Sequence, residues 1–200
     1  MSCRRHAVSM ETSTLTRRPG LAKLVARIRD HADWSAGPRR TALSVADLLR
    51  AQPPTVDLLT PAERYGDPAG FTRHTLHCEE RFSVVAVVWQ PGQQTVIHDH
   101  IAWCAFVVMQ GVEYETLYRD HGDHLTVIGQ VANEVGSASG FAPPGDIHRV
   151  HNTGDVTAIS LHVYGADLSN ERSSVRRDYH LPVRPAIDWA PASSRRFRLR

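Results

Sequence analysis

The sequence predicts an all-β barrel preceded by an amino-terminal helical cap. From about residue 70 to residue 165 it consists of short stretches rich in β-branched and aromatic residues, separated by Gly, Asp or Pro. Many short strands at this spacing are typical of a closed or double-sheet antiparallel barrel, which leaves few exposed sheet edges. Two helical patterns precede this region. A chain of 200 residues can bury one sizeable core, so we expect a single domain without internal repeats.

Composition narrows the class of protein. The net charge is +2 and the acidic and basic residues are interspersed, so no nucleic-acid partner is expected. The three cysteines form no C-x-x-C pair, which favours a reducing compartment over a disulfide scaffold. No apolar run approaches the length of a membrane span, and the basic amino terminus lacks the apolar core of a signal peptide. We therefore expect a soluble cytoplasmic protein with no membrane partner.

The helical cap is expected at residues 20–55. Residues 1–19 are polar and are predicted to be disordered. Leucine, valine and isoleucine then recur at helical spacing and predict a first helix that stops before Gly37. A second helix is predicted from about Leu43 to Ala51 and ends before Pro53. We expect these helices to cover one end of the sheet.

The barrel itself is expected at residues 70–165. Beyond it, residues 166–185 show no clear period and are predicted to form a carboxyl-terminal wrap, and residues 186–200 form a basic tail. The predicted strands are 71–78, 82–89, 95–109, 114–118, 124–128, 131–135, 141–142, 149–152 and 158–164.

The strand predicted at 95–109 carries two histidines one residue apart. Side chains in a strand alternate between faces, so His98 and His100 point the same way and Asp99 points the other way. Imidazoles embedded in apolar sequence are costly to bury unless their nitrogens are satisfied. A bound metal ion would satisfy them.

A third histidine, His148, follows a Pro- and Gly-containing turn and completes a longer pattern. Its spacing is similar to the two motifs of the cupin family, in which histidines converge on one metal inside a small double-stranded β-helix or jelly-roll barrel. Cupins commonly have a glutamate ligand four residues after the second histidine, and here that position is Cys104. The matching positions are Gly92, His98, His100, Gly111, Pro143, Gly145, His148 and Asn152.

Another stretch narrows the resemblance. Period two places Ser160, His162 and Tyr164 on one face of a strand, where a hydroxyl, an imidazole and a phenol could relay a hydrogen bond. Together with the histidine motifs, this resembles the cysteine dioxygenase family of iron cupins, which convert a thiol to a sulfinic acid. The resemblance extends from about residue 71 to residue 164 and more loosely through the following Val-Arg-Arg segment.

That resemblance implies roles for particular residues. His98, His100 and His148 would bind Fe(2+), and Ser160, His162 and Tyr164 would form an outer triad with Tyr164 nearest to the reactants. Arg73, after Thr72, matches an arginine that binds the substrate carboxylate, and a guanidinium fork suits that task. Related 3-mercaptopropionate dioxygenases tend to have glutamine there, so Arg73 favours cysteine. The animal enzymes also form a cysteine–tyrosine thioether, which makes a cross-link between Cys104 and Tyr164 a hypothesis.

Each of these residues has a simpler structural interpretation. Arg73 could lie on a solvated strand edge, Cys104 could be a small buried hydrophobe, and the Ser-His-Tyr line could be a half-polar strand face. Three histidines in two motif spacings are harder to explain without a metal.

The sequence therefore predicts an iron(II) dioxygenase that oxidises L-cysteine with dioxygen to cysteine sulfinic acid. One alternative is a dioxygenase of 3-mercaptopropionate or another small thiol. An alternative of another class is a non-catalytic cupin, or one that binds zinc or nickel. The expected partners are a small thiol and dioxygen, and the expected state is a monomer or small homo-oligomer.

Overall fold

The computed structural model describes residues 18–170 and 173–184. The predicted basic tail lies outside the described residues, as does the predicted disordered amino terminus except for its last two positions, Arg18 and Pro19. No helix within the described ranges is long and apolar enough to cross a membrane.

The two predicted helices are present, with shifted ends. The first stops at His31, well before Gly37, because its apolar spacing ends at Ile28. The second starts at Pro38, five residues before Leu43, since proline suits the first turn of a helix. A short helix closed by a capping box at Thr60 follows. The bounds are α1 (Pro19–His31), α2 (Pro38–Ala51), a 3-10 turn (Val56–Leu58) and α3 (Pro61–Tyr65).

The strands form two sheets of a cupin-type barrel, as the sequence predicts. One sheet has the order β1-β2-β9-β4-β7, and the other has the order β10-β3-β8-β5-β6-β11. Pairing is antiparallel except between β11 and β6. The strands are β1 (Thr72–Cys78), β2 (Ser83–Trp89), β3 (Ile97–His100), β4 (Cys104–Gln110), β5 (Glu113–Asp120), β6 (Leu125–Asn133), β7 (Ala138–Phe141), β8 (His148–His151), β9 (Ala158–Tyr164), β10 (Val175–Tyr179) and β11 (Val183–Arg184).

Three strand predictions need correction. The stretch 95–109 is not one strand but two, β3 and β4, which belong to different sheets. The predicted strands 124–128 and 131–135 are one continuous β6. The wrap without a clear period contains β10, which pairs with β3 along the edge of its sheet. Long-range pairing decides each of these outcomes, and a local pattern does not report it.

The helices cover the outer face of the five-stranded sheet, rather than one end as expected. This is why β2 and β9 are buried along their whole length. Leu21, Ile28, Val45 and Leu49 are fully buried in the cluster between helices and sheet. Each such side chain contributes about 1.5–3 kcal/mol on burial. The inner face of the same sheet is thereby left for the barrel interior.

Helix α2 lies very close to the sheet at Gly140 on β7. A methyl group at that position would lie 2.5 Å from the carbonyl oxygen of Ala42. The absence of a side chain at Gly140 therefore sets the distance between α2 and the sheet.

Candidate metal centre

Three histidines converge inside the barrel. His98 on β3 lies directly opposite His148 on β8, and His100 is two residues further along β3. One nitrogen of each imidazole lies within 4.8 Å of the others, and all three residues are buried. This arrangement confirms the prediction that these side chains lie together. The antiparallel pairing of β3 with β8, which sets His98 opposite His148, brings the three side chains together.

Each imidazole is held by an acceptor at its Nδ1 atom. With Nδ1–H donating, each ring has its Nε2 lone pair free for a metal, which is how ligating histidines are commonly oriented. The acceptors are the Val96 carbonyl oxygen for His98 (3.0 Å), Asp146 Oδ2 for His100 (3.0 Å) and Glu115 Oε1 for His148 (2.5 Å).

The environment keeps the imidazoles of His98 and His100 neutral. Burial, with the neighbouring His148 and His100, lowers the pKa of His98 to about 3. Burial likewise lowers the pKa of His100, although Asp146 opposes this change. Neutral imidazole is the form that binds a metal ion. Two of the three rings are therefore ready to bind at neutral pH without losing a proton.

One atom of the cluster shows that the site fits a cation. His148 Nε2 is buried and has no hydrogen-bond partner among the described residues. An unsatisfied buried polar atom is costly, and a divalent metal held by the three Nε2 atoms would remove that cost. The donor set of three imidazoles suits iron, zinc, copper or nickel.

Asp99, between the two ligand histidines, points away from the centre as predicted. It accepts hydrogen bonds from Tyr179 Oη at 2.9 Å and from the Arg176 guanidinium, both on β10. These contacts fasten β10 to β3 on the side opposite the metal centre.

A cavity of about 480 Å³ opens onto the three histidines. Phe71, Val87, Trp89 and Val150 give it apolar walls. Arg73, His162 and Tyr164 also line it, so the structure brings the predicted substrate-binding residue and two members of the predicted outer triad to the cavity.

Ser160, His162 and Tyr164 form a hydrogen-bonded row on the inner face of β9. Ser160 Oγ lies 2.9 Å from His162 Nε2, and Tyr164 Oη lies 3.5 Å from His162 Nδ1. Burial raises the pKa of Tyr164, with Cys104 as the next cause. The phenol therefore keeps its proton at neutral pH and can donate a hydrogen bond into the cavity.

Cys104 is fully buried and is absent from the histidine cluster. It lies directly opposite Tyr164 in the pairing of β4 with β9, and its Sγ atom is 3.7 Å from His162 Nδ1. Burial raises the pKa of its thiol well above the ordinary value. At the position where many cupins have a glutamate ligand, this chain has a neutral thiol.

Arg73 lies on β1 directly opposite Val87 of β2. Val87 in turn lies opposite Ser160 of β9, so the three residues are aligned across the sheet. The Arg73 side chain is exposed and Nη1 donates to Ser173 Oγ at 3.3 Å. The charge of Arg73 acts to lower the pKa of Tyr164, against the larger effect of burial. A guanidinium therefore stands at the mouth of the cavity, within electrostatic reach of the phenol.

Sequence reasoning missed the carboxylates that orient this site. Glu113, Glu115 and Asp146 are all buried, and the first two lie two residues apart on β5. The sequence did contain a signal for them. Glu113, Glu115 and Leu117 alternate along one strand and therefore share a face, and acidic residues on the same face as an apolar residue indicate buried carboxylates. Which side chain each glutamate contacts depends on strand pairing and could not be derived locally.

The barrel and its buried histidine cluster define a metal-binding cupin. A family model described as cysteine dioxygenase type I matches residues 61–177, more than half of the chain. The chain therefore belongs to the cysteine dioxygenase type I family.

Solved structures of low identity also resemble this chain. A protein from Thermus thermophilus is 21% identical, with a TM-score of 0.40 over 54% of this chain and 96% of that one. A cupin superfamily protein from Desulfitobacterium hafniense is 13% identical, with a TM-score of 0.41 over 55% and 85%. An RmlC-like cupin from Desulfovibrio desulfuricans is 19% identical, with a TM-score of 0.39 over 50% and 87%. Membership of the family rests on the sequence match.

Proposed function

We propose that this protein is an iron(II)-dependent dioxygenase that oxidises L-cysteine with dioxygen to cysteine sulfinic acid. The observation that carries the proposal is the cavity in which three buried histidines face Arg73 and Tyr164. Membership of the cysteine dioxygenase type I family supports it.

The all-histidine donor set favours an anionic ligand. Three neutral imidazoles leave a divalent ion with its full charge, whereas a carboxylate ligand would offset part of it. A substrate thiolate would supply the missing negative charge. When bound, iron would provide positions at which thiolate and dioxygen meet, and would lower the pKa of the thiol.

Residues of the chain would hold the rest of the substrate. Arg73 would bind the carboxylate through two parallel N–H groups of its guanidinium. The apolar walls, including Trp89 and Val150, would keep bulk water from the reacting sulfur. Tyr164, which retains its proton, would donate a hydrogen bond to the reactants in the cavity.

Oxygen consumption tests the proposal directly. The iron-loaded protein would be supplied in turn with cysteine, 3-mercaptopropionate and cysteamine, and we expect the highest kcat/KM with cysteine. A higher kcat/KM with 3-mercaptopropionate would instead indicate a 3-mercaptopropionate dioxygenase. Absence of oxygen uptake with any of the thiols would reject both dioxygenase activities. His148→Ala should abolish uptake, whereas His151→Ala, on the same strand but outside the cluster, should retain it.

Metal analysis separates the proposal from a cupin that does not oxidise thiols. We expect stoichiometric iron in the purified protein and a change in its absorption spectrum when cysteine is added. Stoichiometric zinc or nickel, with no thiol-dependent change in a spectrum of the cobalt-substituted protein, would contradict the dioxygenase assignment.

We also propose that Cys104 and Tyr164 can become cross-linked. Their direct opposition on β4 and β9 places the thiol beside the phenol ring. The thioether would form with loss of the S–H and one ring C–H hydrogen, and dioxygen would accept the two electrons and two protons. After turnover we expect a peptide mass lowered by two hydrogens. Unmodified Cys104 and Tyr164 peptides after many turnovers would rule the cross-link out.

A further inference from the structure

Strand β5 carries a second buried carboxylate besides the one that holds His148. Glu113 is 2% exposed and is placed two residues from Glu115 on the same strand. It accepts a hydrogen bond from Ser160 Oγ, and its Oε2 atom is 3.7 Å from His162 Nε2. Because β5 and β9 belong to different sheets, this contact spans the barrel. Glu113 is not part of the three-histidine cluster.

The hydrogen bonds around Ser160 determine the direction of the row. A serine hydroxyl has one proton and two acceptor lone pairs. Trp89 Nε1–H, which can only donate, lies 3.4 Å from Ser160 Oγ and donates to one of its lone pairs. A carboxylate at Glu113 can only accept, so it takes the hydroxyl proton. The remaining lone pair of Ser160 must then accept from His162 Nε2–H at 2.9 Å.

We propose that Glu113 is a positioning residue that acts through Ser160 to hold the proton of His162 on Nε2. This inference rests on the proposed function, because it assigns a direction to the hydrogen-bonded row that ends at Tyr164 beside the metal centre. With the proton on Nε2, His162 Nδ1 is an acceptor. It faces Tyr164 Oη at 3.5 Å and Cys104 Sγ at 3.7 Å.

The opposite arrangement would reverse the role of Tyr164. If Ser160 donated its proton to His162 Nε2, the ring proton would move to Nδ1 and would point at the phenol oxygen. Tyr164 would then accept from His162, whereas with the proton on Nε2 it can donate its single proton to His162 in the empty cavity and to the reactants once they bind. The acceptor that Glu113 offers to Ser160 chooses between these two arrangements, as the carboxylate of a Ser-His-Asp triad fixes the tautomer of its histidine.

The tautomer can be measured without metal or substrate. The full-length, metal-free protein would be labelled with ¹⁵N-histidine, and long-range ¹H–¹⁵N correlations would report which nitrogen of each ring carries a proton. The His162 signals are those lost in His162→Gln. We expect neutral His162 to have its proton on Nε2. A proton on Nδ1 in the wild-type protein would overturn the proposal, even if no Glu113 variant folds.

Variants test whether Glu113 is the cause. Glu113→Leu removes the acceptor, so we expect the His162 proton to move to Nδ1. Glu113→Gln retains an amide oxygen that can accept from Ser160, and we expect it to keep the proton on Nε2. Glu115→Gln, the matched buried carboxylate on the same strand, should leave the His162 tautomer unchanged. The same tautomer in wild type and Glu113→Leu would show that Glu113 does not set it.

Kinetics separate this inference from the proposed function. In iron-loaded protein, Glu113→Leu should lower kcat for thiol oxidation by about 10- to 100-fold, the range seen for residues that orient groups at metal sites, with little change in KM. If no thiol is oxidised but the tautomer responds to Glu113→Leu as expected, the proposed function fails and the positioning role stands. If thiols are oxidised but the His162 tautomer does not change in Glu113→Leu, the proposed function stands and the positioning role of Glu113 fails.

Discussion

At the scale of single residues, buried carboxylates decide how the histidines of this site are oriented. Glu115 and Asp146 each take an Nδ1–H from one ligand, while the His98 ring depends on a backbone carbonyl. Burial acts to raise the pKa of Glu115, but the hydrogen bond from His148 outweighs it and lowers that pKa, so this carboxyl is ionised at neutral pH. The oriented rings present Nε2 to the metal without rearrangement.

Glu115→Gln should weaken metal binding by about 10- to 100-fold, because an amide holds the His148 ring less firmly than a carboxylate does. Competition with a chelator of known affinity measures the effect. Glu134→Gln, at an exposed glutamate just after β6, is the control and should bind metal as the wild type does. Equal affinities for all three proteins would show that Glu115 does not support the ligand set.

Arg73→Gln should lower kcat/KM for cysteine by about 10- to 100-fold, since it removes a charge-assisted bond worth about 1.5–3 kcal/mol. The change should appear mainly in KM. Steady-state oxygen uptake measures it, and Arg81→Gln, an exposed arginine that stacks on Trp34, is the control. An unchanged KM for cysteine in Arg73→Gln would place the carboxylate elsewhere in the cavity.

At the scale of elements, period two explains most of the site. Strand β9 has one face against the helices and the other inside the barrel, so His162 and Tyr164 reach the cavity and Ser160, on the same face, contacts His162. Strand β5 uses the same rule to direct Glu113 and Glu115 inward. The helices matter to this arrangement because they bury the outer face and let the sheet be apolar on that side.

Gly140→Ala tests the contact between α2 and the sheet. The added methyl group would meet backbone atoms of Ala42, which cannot rotate away, so we expect a loss of about 1–3 kcal/mol in the free energy of unfolding. Urea titration measures it. At Gly70 an added methyl group meets nothing within 4 Å, so Gly70→Ala should be close to neutral. Equal stability of both variants would mean that α2 shifts without cost.

At the scale of the whole molecule, the metal centre costs stability when no metal is bound. Burying three imidazoles in one cluster prevents His98 from taking up a proton that it binds freely when the chain is unfolded. A bound ion would offset part of that cost, because a ligand that binds only the folded state stabilises it.

The stability of the metal-free protein should therefore rise with pH. The unfolded state has the ordinary His98 pKa of 6.5 and the folded state a pKa of about 3, so between these values the unfolded chain binds more protons. Lowering the pH from above 6.5 to 5 should remove about 2 kcal/mol through His98 alone. Urea unfolding at pH 7.5 and pH 5 measures the loss. His98→Gln should show a smaller loss than the wild type, and an equal loss would contradict this account.

The sequence by itself determined the fold class, the three metal-ligand candidates and the row on β9. These depend on local regularities: period two within a strand and fixed spacing between glycine turns and histidines. The tertiary structure decided what depends on distant pairing. In the structure, residues 95–109 belong to two different sheets, and the helices lie on the outer face of one sheet. The segment predicted as a wrap contains β10. Glu113 and Glu115 lie next to Ser160 and His148, respectively. A carboxylate's partner across a barrel is set by strand register and sheet closure, which no local pattern records.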